Sequence, residues 1–368
     1  MIRISCFGDF KVNDTENLGV SGELKSLMEQ SDVNLLNFEA PLESAGKPIP
    51  KSGPTLFQCK DAAEWVKAQG FNVVSIANNH IYDYGKTGLQ ETMSGLRGLK
   101  TIGGGRDAYS LESVEIKGLK IGFLAATHCE FGTSTNGGKA EGAAWISHPE
   151  FIRNIIESKK KVDYLLLIVH AGIEYFDYPL PEWRDLYKLF IDLGADAVIG
   201  SHPHVPQGWE FYKGRPICYS LGNFCFQTKE KKTHQYWNDG LVATLELDKG
   251  KNIGLDIRNI GYTPQIRQIS FNDSPDIDDH INEINLTLSA TQKYAEAVDR
   301  EAIRSLPRYY RLFAQSGLVS TKGFNGYIKG CVKFLLGKGW FPHTHALNNL
   351  QCESHRWLII RGMKLLNK

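Results

Sequence analysis

The sequence predicts an α/β protein, and three observations support that class. Apolar runs of strand length alternate with amphipathic segments of helix length, in the order that βαβ units produce. With 368 residues, of which 42% are hydrophobic and 23% are charged, the chain can bury a full core. Several predicted strands end in side chains that can bind metal ions, at the edge where α/β sheets bind their ligands.

The first predicted elements alternate between strand and helix. Gly70 ends the helix that precedes the third strand, because glycine readily adopts the conformation that stops a helix. The alternating segment at 113–126 predicts a hairpin that turns at Lys117-Gly118. Strands are predicted at 2–7, 33–39 and 71–77, and helices at 22–29, 61–69 and 86–99.

The middle of the chain continues this alternation. The apolar run D-Y-L-L-L-I-V-H at 163–170 has the composition of a strand that is buried on both faces. The run Ala-Val-Ile-Gly at 197–200 is a short strand, and Gly200, Pro203 and Pro206 prevent regular structure from continuing. Helices are predicted at 150–160 and 182–193, short strands at 209–224, 240–248 and 253–260, a linker at 272–279, and mainly helices beyond it.

Five predicted strand ends carry oxygen or imidazole donors. They are Asp9, Glu39, the cluster Asn78-Asn79-His80, His170, and the pair His202 and His204. Each alone has an ordinary structural explanation, such as a turn residue or a hydrogen-bonded core histidine. Turn chemistry would place glycine, serine and proline at strand ends just as often, so the five together indicate one metal site.

Six short motifs follow one another in the chain. They are Gly8-Asp9, Asn37-Phe38-Glu39, Asn78-Asn79-His80 with Asp83 and Gly85, H-A-G-I-E-Y at 170–175, G-S-H-P-H-V at 200–205 and Y-S-L-G-N-F at 219–224. In this order they resemble the CapA family of poly-γ-glutamate capsule synthesis proteins, a branch of the calcineurin-like metallophosphoesterases. The resemblance implies a four-layer α/β/β/α sandwich with a two-metal site, followed here by a C-terminal helical appendage.

The resemblance also implies a set of metal ligands. Asp9 and His204 would bind the first ion, Asn79, His170 and His202 would bind the second, and Glu39 would bridge them. The wider superfamily has aspartate where Glu39 stands, histidine where Lys11 stands, and often histidine where Ser201 stands. Without the histidine, the first ion could use Asn13 or water, or its site could be vacant.

The donor set predicts the kind of cofactor and its chemistry. Carboxylate, amide and imidazole ligands suit Mn²⁺, Zn²⁺ or iron, as one or two divalent ions. We expect His80 to protonate a leaving group or to stabilise charge, and Asp83 to orient the ring of His80. Glu174, Tyr175 and Asn223 are predicted to line the substrate side, although Asn223 could equally be structural.

The end of the chain differs from the rest in charge. Residues 302–368 contain eleven lysines and arginines but one acid, Glu353. The segment 323–338 interleaves lysine with apolar residues, which is typical of helices that lie on anionic membranes or pack on an acidic domain. The apolar residues expected to anchor such a membrane contact are Trp340, Phe341, Trp357, Leu358, Ile359 and Ile360. We predict a CapA-like domain at 1–271, a linker at 272–279 and a basic helical region at 280–368. No nucleic-acid-binding module is recognisable, so nucleic acid is not an expected partner.

Two functional hypotheses remain. The first is a metal-dependent hydrolase whose substrate is a phosphoester or the amide of an anionic γ-glutamyl-like polymer. The second is a non-catalytic assembly factor that keeps the fold while its metal site has degraded, as Lys11 suggests. We favour the hydrolase, because a purely structural metal site has no use for His80. The first residues lack the apolar segment of a signal peptide, so we expect a cytoplasmic protein, with 302–368 as its contact with anionic membranes.

Overall fold

Two β-sheets lie face to face between helices in this protein. The computed structural model describes residues 1–135, 141–229, 234–315, 332 and 344–367. In the first half of these, the strands are β1 (Ile2–Lys11), β2 (Gly19–Val20), β3 (Val33–Phe38), β4 (Val73–Ser75), β5 (Lys100–Ile102), β6 (Glu112–Ile116), β7 (Leu119–Thr127), β8 (Thr133–Ser134), β9 (Ala143–Ala144) and β10 (Tyr164–His170). They continue with β11 (Ala197–Ser201), β12 (Trp209–Tyr212), β13 (Arg215–Cys218), β14 (Asn223–Phe226), β15 (Asp239–Leu247), β16 (Gly254–Thr263) and β17 (Gln268–Phe271).

The helices cover the outer faces of the sheets and form the C-terminal region. Five lie within the α/β part: α1 (Gly22–Glu29), α2 (Ala62–Ala68), α3 (Gly85–Gly95), α4 (Pro149–Lys159) and α5 (Pro181–Asp192). Four follow the last strand among the described residues: α6 (Pro275–Ser289), α7 (Thr291–Gln315), and two that we number α8 (Thr344–Gln351) and α9 (Glu353–Leu366).

Each sheet combines parallel and antiparallel strands. The larger sheet has the order β2-β17-β16-β15-β1-β3-β4-β5, and β14 also pairs with β1. The smaller sheet has the order β12-β13-β11-β10-β7-β6. The strands β1, β3 and β4 are parallel to one another, as are β7, β10 and β11. Their carboxyl ends therefore form two neighbouring edges at which polar side chains can meet.

The alternation of side chains along each strand separates two cores. In β3, Leu35 packs toward the second sheet, whereas Leu36 packs toward α1 and α2. The inner core lies between the sheets and extends to α4 and α5, which cover the second sheet. These two cores confirm the predicted four-layer α/β/β/α arrangement, with a helical region after it.

Helix α6 corrects the predicted linker at 272–279. This helix begins at Pro275, so residues 272–274 connect it to β17. Proline suits the first helical turn, and Asp276 and Asp278 there interact favourably with the helix dipole. The acidic, proline-containing sequence is thus a helix start. Ile277 and Ile281 of this helix are buried in the inner core, which the helix shares with the sheets.

The described residues of the tail, which comprises residues 302–368, pack on the α/β part. Leu358 is fully buried, and the Trp357 ring lies 4.7 Å from that of Trp183, between ring centroids. The segment predicted at 323–338 lies outside the described residues, apart from Val332, as do Trp340 and Phe341. Among the residues that the structure describes, no helix has the length and apolar character required to cross a membrane.

Candidate metal centre

The strand ends bring the six predicted metal ligands into one buried region. Asp9 lies in β1, Glu39 directly follows β3, and His170 ends β10. Asn79 follows β4, and the two other histidines follow β11. The exposed fraction is at most 5% for each of the six residues Asp9, Glu39, Asn79, His170, His202 and His204. Their predicted roles as ligands stay predictions, but their proximity is a feature of the fold.

Asn37 holds the two carboxylates in place. Its Nδ2 donates to Asp9 Oδ1 at 2.7 Å and lies 3.4 Å from Glu39 Oε2. Its Oδ1 accepts a hydrogen bond from Asn78 Nδ2 at 3.2 Å. Asn37 faces Asp9 in the parallel register of β1 and β3, which explains why these side chains meet. The sequence analysis quoted Asn37 in a motif but gave it no role.

Three polar groups meet around His170. Its Nε2 lies 3.1 Å from both Asn79 Oδ1 and His202 Nδ1. On the other side of the ring, Nδ1 lies 3.0 Å from Ser201 Oγ. Asn37 Nδ2 lies 3.2 Å from the same Nδ1, so Ser201 and Asn37 together orient the His170 ring with Nε2 facing the centre. Asn79, His170 and His202 are brought together as the sequence predicted.

His204 lies on the side of the first predicted ion. Its Nδ1 is 3.2 Å from Asp9 Oδ2, and its Nε2 is 3.6 Å from Glu39 Oε1. Asn223 Oδ1 lies 3.0 Å from the same Nδ1, and Asn223 Nδ2 donates to the backbone carbonyl groups of His204 and Trp237. Asn223 therefore positions His204, which is the structural alternative considered for this asparagine.

The turn after β11 is strained in a way that directs both histidines inward. His202 and His204 have φ angles of 99° and 60°, which residues other than glycine rarely adopt. The intervening Pro203 cannot donate a backbone hydrogen bond, and it ends the strand. Such conformations persist where the surrounding structure enforces them, often at functional sites.

Burial and charge set the protonation of the centre. Burial, together with repulsion from Asp9, raises the pKa of Glu39 well above its usual value. Burial also opposes ionisation of Asp9, but the hydrogen bond with His204 and the charge of His170 outweigh it and lower the pKa of Asp9 to about 2. Burial lowers the pKa of His170 to about 3 and that of His202 well below its usual value. Neutral imidazoles of this kind offer lone pairs to a metal ion.

One atom shows that these residues fit a cation. Glu39 Oε1 is buried and has no hydrogen-bond partner among the described residues. It lies 3.8 Å from His170 Nε2 and 3.6 Å from His204 Nε2. An unpaired carboxylate oxygen is costly to bury, and a divalent ion bound by these donors would compensate that cost. The set of oxygen and imidazole donors suits Mn²⁺, Zn²⁺ or iron.

His80 and Asp83 form a buried pair next to the centre. His80 Nδ1 lies 2.7 Å from Asp83 Oδ2, and the backbone N–H of Leu56 donates to the same oxygen at 2.7 Å. Lys51 Nζ contacts Asp83 Oδ1, and its side chain is 3% exposed. Burial would raise the pKa of Asp83, but the neighbouring His80 and Lys51 lower it. The sequence did not indicate Lys51.

A cavity of about 150 Å³ opens next to this pair. His80, Glu174, Lys51 and Arg308 are among the residues that line it, so the C-terminal helix α7 contributes to its wall. Glu174, which the sequence predicts to line the substrate side, is part of this wall. Tyr175 lies elsewhere, with its ring 5.7 Å from that of Trp237.

Lys11 does not act as a substitute for the missing imidazole. Its Nζ donates to the Gln227 backbone carbonyl at 3.2 Å and contacts Asn13 Oδ1. Burial lowers the pKa of Lys11 to about 8. Asn13 also makes hydrogen bonds with Gln227 rather than with the carboxylates of the centre. The alternative that Asn13 completes the first metal site is therefore not supported by its contacts.

A polar layer that the sequence did not predict lies behind the centre. Glu130 Oε1 lies 3.0 Å from His128 Nε2 and accepts from Asn79 Nδ2 at 3.3 Å. The ring centroids of His128 and His202 are 4.4 Å apart. The sequence did contain a signal for this layer. The segment T-H-C-E at 127–130 follows the second strand of the predicted hairpin, just as the other donors follow their strands.

Comparisons with known proteins agree with the capsule-related resemblance. The family profile described as bacterial capsule synthesis protein PGA_cap matches residues 14–228. Capsule biosynthesis protein CapA of Bacillus anthracis is 29% identical over 231 residues, which are 57% of this chain and 55% of that protein. PGA biosynthesis protein CapA of Bacillus subtilis strain 168 is 33% identical over 234 residues, which are 58% of this chain and 59% of that protein. The chain thus spans little more than half the length of these relatives.

Among solved structures, the 5′-nucleotidase precursor of Thermus thermophilus is 14% identical to this chain. The superposition covers 78% of this chain and 59% of that chain, with a TM-score of 0.41.

Proposed function

Since the chain belongs to the family of bacterial capsule synthesis proteins, we propose that it is a metal-dependent hydrolase in the synthesis or remodelling of a capsule or another cell-surface polymer. The bond that it cleaves is a phosphoester or an amide of a γ-glutamyl-like polymer. The observation that carries the proposal is the convergence of His170 and His204 on the unpaired Glu39 Oε1, with Asp9 within 4 Å of both histidines.

The chain's own residues would hold the metal. Asp9 Oδ2 and His204 Nδ1 lie 3.2 Å apart, and His170 Nε2 lies 3.1 Å from both Asn79 Oδ1 and His202 Nδ1. When bound there, one or two divalent transition-metal ions supply a Lewis acid that polarises the scissile group and lowers the pKa of water towards about 7. Asn37 and Ser201 fix the orientation of the ligands before metal binds.

His80 is the residue placed to move a proton. Asp83 holds its Nδ1, so Nε2 is the nitrogen that remains to meet a substrate in the adjoining cavity. The hydrogen bond fixes the ring and favours the tautomer with the proton on Nδ1. A protonated His80 can then donate from Nε2 to the leaving group, while Asp83 stabilises the positive ring.

The cavity favours an anionic substrate. Lys51 and Arg308 bring two cationic side chains to its wall, and the Arg308 side chain is 60% exposed. Arginine binds carboxylates and phosphates through two parallel hydrogen bonds, and γ-glutamyl polymers and phosphoesters present these groups. Glu174, which lies 3.9 Å from Arg308, and Glu130 also line the cavity and limit how much negative charge it can accept.

The alternative is a non-catalytic assembly factor of the same pathway. The observation in its favour is Lys11, whose buried ammonium occupies the position of a superfamily ligand. In this case the metal site would be degraded while the fold is kept, and His80 would serve as a packing residue. The relatives' names concern biosynthesis and are compatible with either function.

Two substitutions separate catalysis from metal binding. His80→Ala should lower hydrolysis of a phosphoester or γ-glutamyl substrate by roughly 10²-fold while the metal content stays unchanged, because His80 contacts Asp83 rather than the ligand cluster. His204→Ala should lose metal. Elemental analysis and a substrate panel measure both outcomes. Wild-type protein that holds little metal and cleaves none of these substrates would favour the assembly factor. Equal metal loss in both variants would show that His80 is a ligand.

A further inference from the structure

A second cluster of metal-binding side chains lies where the C-terminal helices meet the α/β part. It consists of Glu130, Cys352 and His355, whose ligand atoms all lie within 4.8 Å of one another. Glu130 follows β7, Cys352 is the N-cap residue of α9, and His355 lies in the first turn of that helix. Two of the three residues lie beyond the segment 14–228 that the family profile matches, so this cluster combines the family domain with the tail.

The only acid of the tail fixes the position of this cluster. Glu353 is 2% exposed, and its Oε2 accepts a hydrogen bond from the Cys129 backbone N–H at 2.8 Å. Its Oε1 accepts from Trp145 Nε1 at 2.6 Å and from Ser147 Oγ at 2.8 Å. The start of α9 is therefore held against the α/β part by a fully bonded carboxylate, and its neighbours are rigidly presented.

His355 and Cys352 are incompletely satisfied, whereas both oxygens of Glu130 accept hydrogen bonds, one of them from Asn348 Nδ2 at 3.0 Å. His355 Nδ1 is buried and finds no hydrogen-bond partner in the described part of the chain. Cys352 is fully buried, and its Sγ makes a weak contact of 3.7 Å with His128 Nδ1. Ordinary core packing would place apolar side chains here instead of an unpaired imidazole nitrogen beside a thiol and a carboxylate.

We propose that Glu130, Cys352 and His355 bind a divalent transition-metal ion, with zinc as the best match, at a site separate from the strand-end centre. Thiolate, imidazole and carboxylate are the ligands that zinc uses. The Cys352 thiol loses its proton to solvent as the sulfur–metal bond forms, so binding releases one proton. His128 lies 3.0 Å from Glu130 Oε1 and would orient this ligand from outside the coordination shell.

The geometry requires a small contraction of the cluster. Ligand atoms around a tetrahedral zinc ion, with bonds of about 2.0–2.3 Å, lie roughly 3.3–3.8 Å apart. Because no two ligand atoms of this cluster are more than 4.8 Å apart, they need to approach one another by at most roughly 1–1.5 Å. Glu130 and His355 also border the cavity that contains His80, so the remaining coordination position could face that cavity.

Cobalt spectroscopy tests the site directly. Full-length protein freed of metal is loaded with Co²⁺, which occupies zinc sites, and its absorption spectrum is recorded. A thiolate bound to Co²⁺ produces an intense near-ultraviolet charge-transfer band, which oxygen and imidazole ligands do not produce. We expect this band in the wild type and its loss in Cys352→Ser. In His355→Asn, the affinity for Co²⁺, measured by titration of the band, should be at least tenfold weaker.

Two control variants show whether the band comes from the proposed site. Cys129→Ser removes a neighbouring buried thiol that is not in the cluster and should keep the band. His204→Ala removes a predicted ligand of the strand-end centre, which contains no sulfur, and should also keep the band. A wild-type protein without the band, or a band that survives in Cys352→Ser, would overturn the proposal while leaving the proposed hydrolase untouched.

Discussion

At the scale of single residues, Glu39 is where burial and charge conflict most. It is fully buried beside Asp9, and one of its carboxylate oxygens has no partner in the described part of the structure. Ionised Glu39 therefore destabilises the metal-free protein, while a bound cation would turn the same charge into a stabilising contact. A side chain that lowers the stability of the metal-free protein but favours cation binding is expected at a binding site.

The stability of the metal-free protein should reveal this conflict through its pH dependence. Because folding raises the pKa of Glu39, its favourable contribution is complete below the pKa of unfolded glutamate, about 4.3, and is lost as the pH rises through the higher folded value. Chelator-treated Glu39→Gln should therefore exceed the wild type in free energy of unfolding at pH 8, by more than about 1 kcal/mol. Denaturant titrations from pH 5 to about 8 measure the difference.

The titration of Asp9 does not confuse this measurement. Its pKa is lowered to about 2, so its contribution is present above the unfolded value of about 3.9 and is constant over the measured range. With metal added, the order should reverse, because the variant has lost a ligand. A wild type that remains more stable than Glu39→Gln without metal at every pH would contradict the burial argument.

At the scale of elements, the centre depends on a close approach between β1 and the start of β14. A Cβ atom on Gly8 would lie 1.9 Å from the Gly222 carbonyl oxygen, and the Asp9 N–H donates to that oxygen at 3.0 Å. Gly8→Ala should therefore displace Asp9, lower the free energy of unfolding by about 1–3 kcal/mol and weaken metal binding. Gly19→Ala in β2, where nothing lies within 4 Å of the added atom, should leave both unchanged.

Thermal unfolding and metal titration of the two alanine variants test the close approach. Equal behaviour of Gly8→Ala and Gly19→Ala would mean that the strand contact does not position Asp9.

The elements also show what could be predicted from the sequence. Helix α1 was predicted with its observed bounds, and the donors that follow β3, β10 and β11 were identified, because each follows a clear apolar run. The layer with His128 was missed, since 113–126 was interpreted as a local hairpin. In the structure, the second strand of that hairpin pairs in parallel with β10, with Thr127 opposite His170. Pairing of strands distant in sequence decides this contact, and no local pattern shows it.

At the scale of the whole molecule, the C-terminal helices are part of the site region. Arg308 and His355 line the cavity beside His80, although the sequence analysis treated 280–368 as an appendage. Of the apolar residues expected to anchor the tail on a membrane, Leu358 and Ile359 are buried in the inner core, whereas Ile360 is 44% exposed. Leu358 and Ile359 therefore face the protein rather than a membrane surface.

Membrane attachment through residues 302–368 stays a prediction, and it rests on the excess of lysine and arginine in this segment. Each lysine or arginine near an anionic surface contributes about 1 kcal/mol. Full-length protein should co-sediment with anionic vesicles at low salt and be released at high salt, and neutral vesicles should not bind it. Replacing Lys322, Lys329, Lys333 and Lys338 by glutamine should weaken binding at least tenfold. Equal binding to both kinds of vesicle would exclude the electrostatic mechanism.

The central claim is that the strand ends form a metal centre, and anomalous X-ray diffraction from crystals grown with Mn²⁺ or Zn²⁺ tests it most directly. We predict at least one anomalous peak about 2.0–2.3 Å from Glu39 Oε1 and from imidazole nitrogens of His170 and His202. Crystals in which metal binds only at the protein surface, while Glu39 and the histidines contact one another without an ion, would contradict the claim.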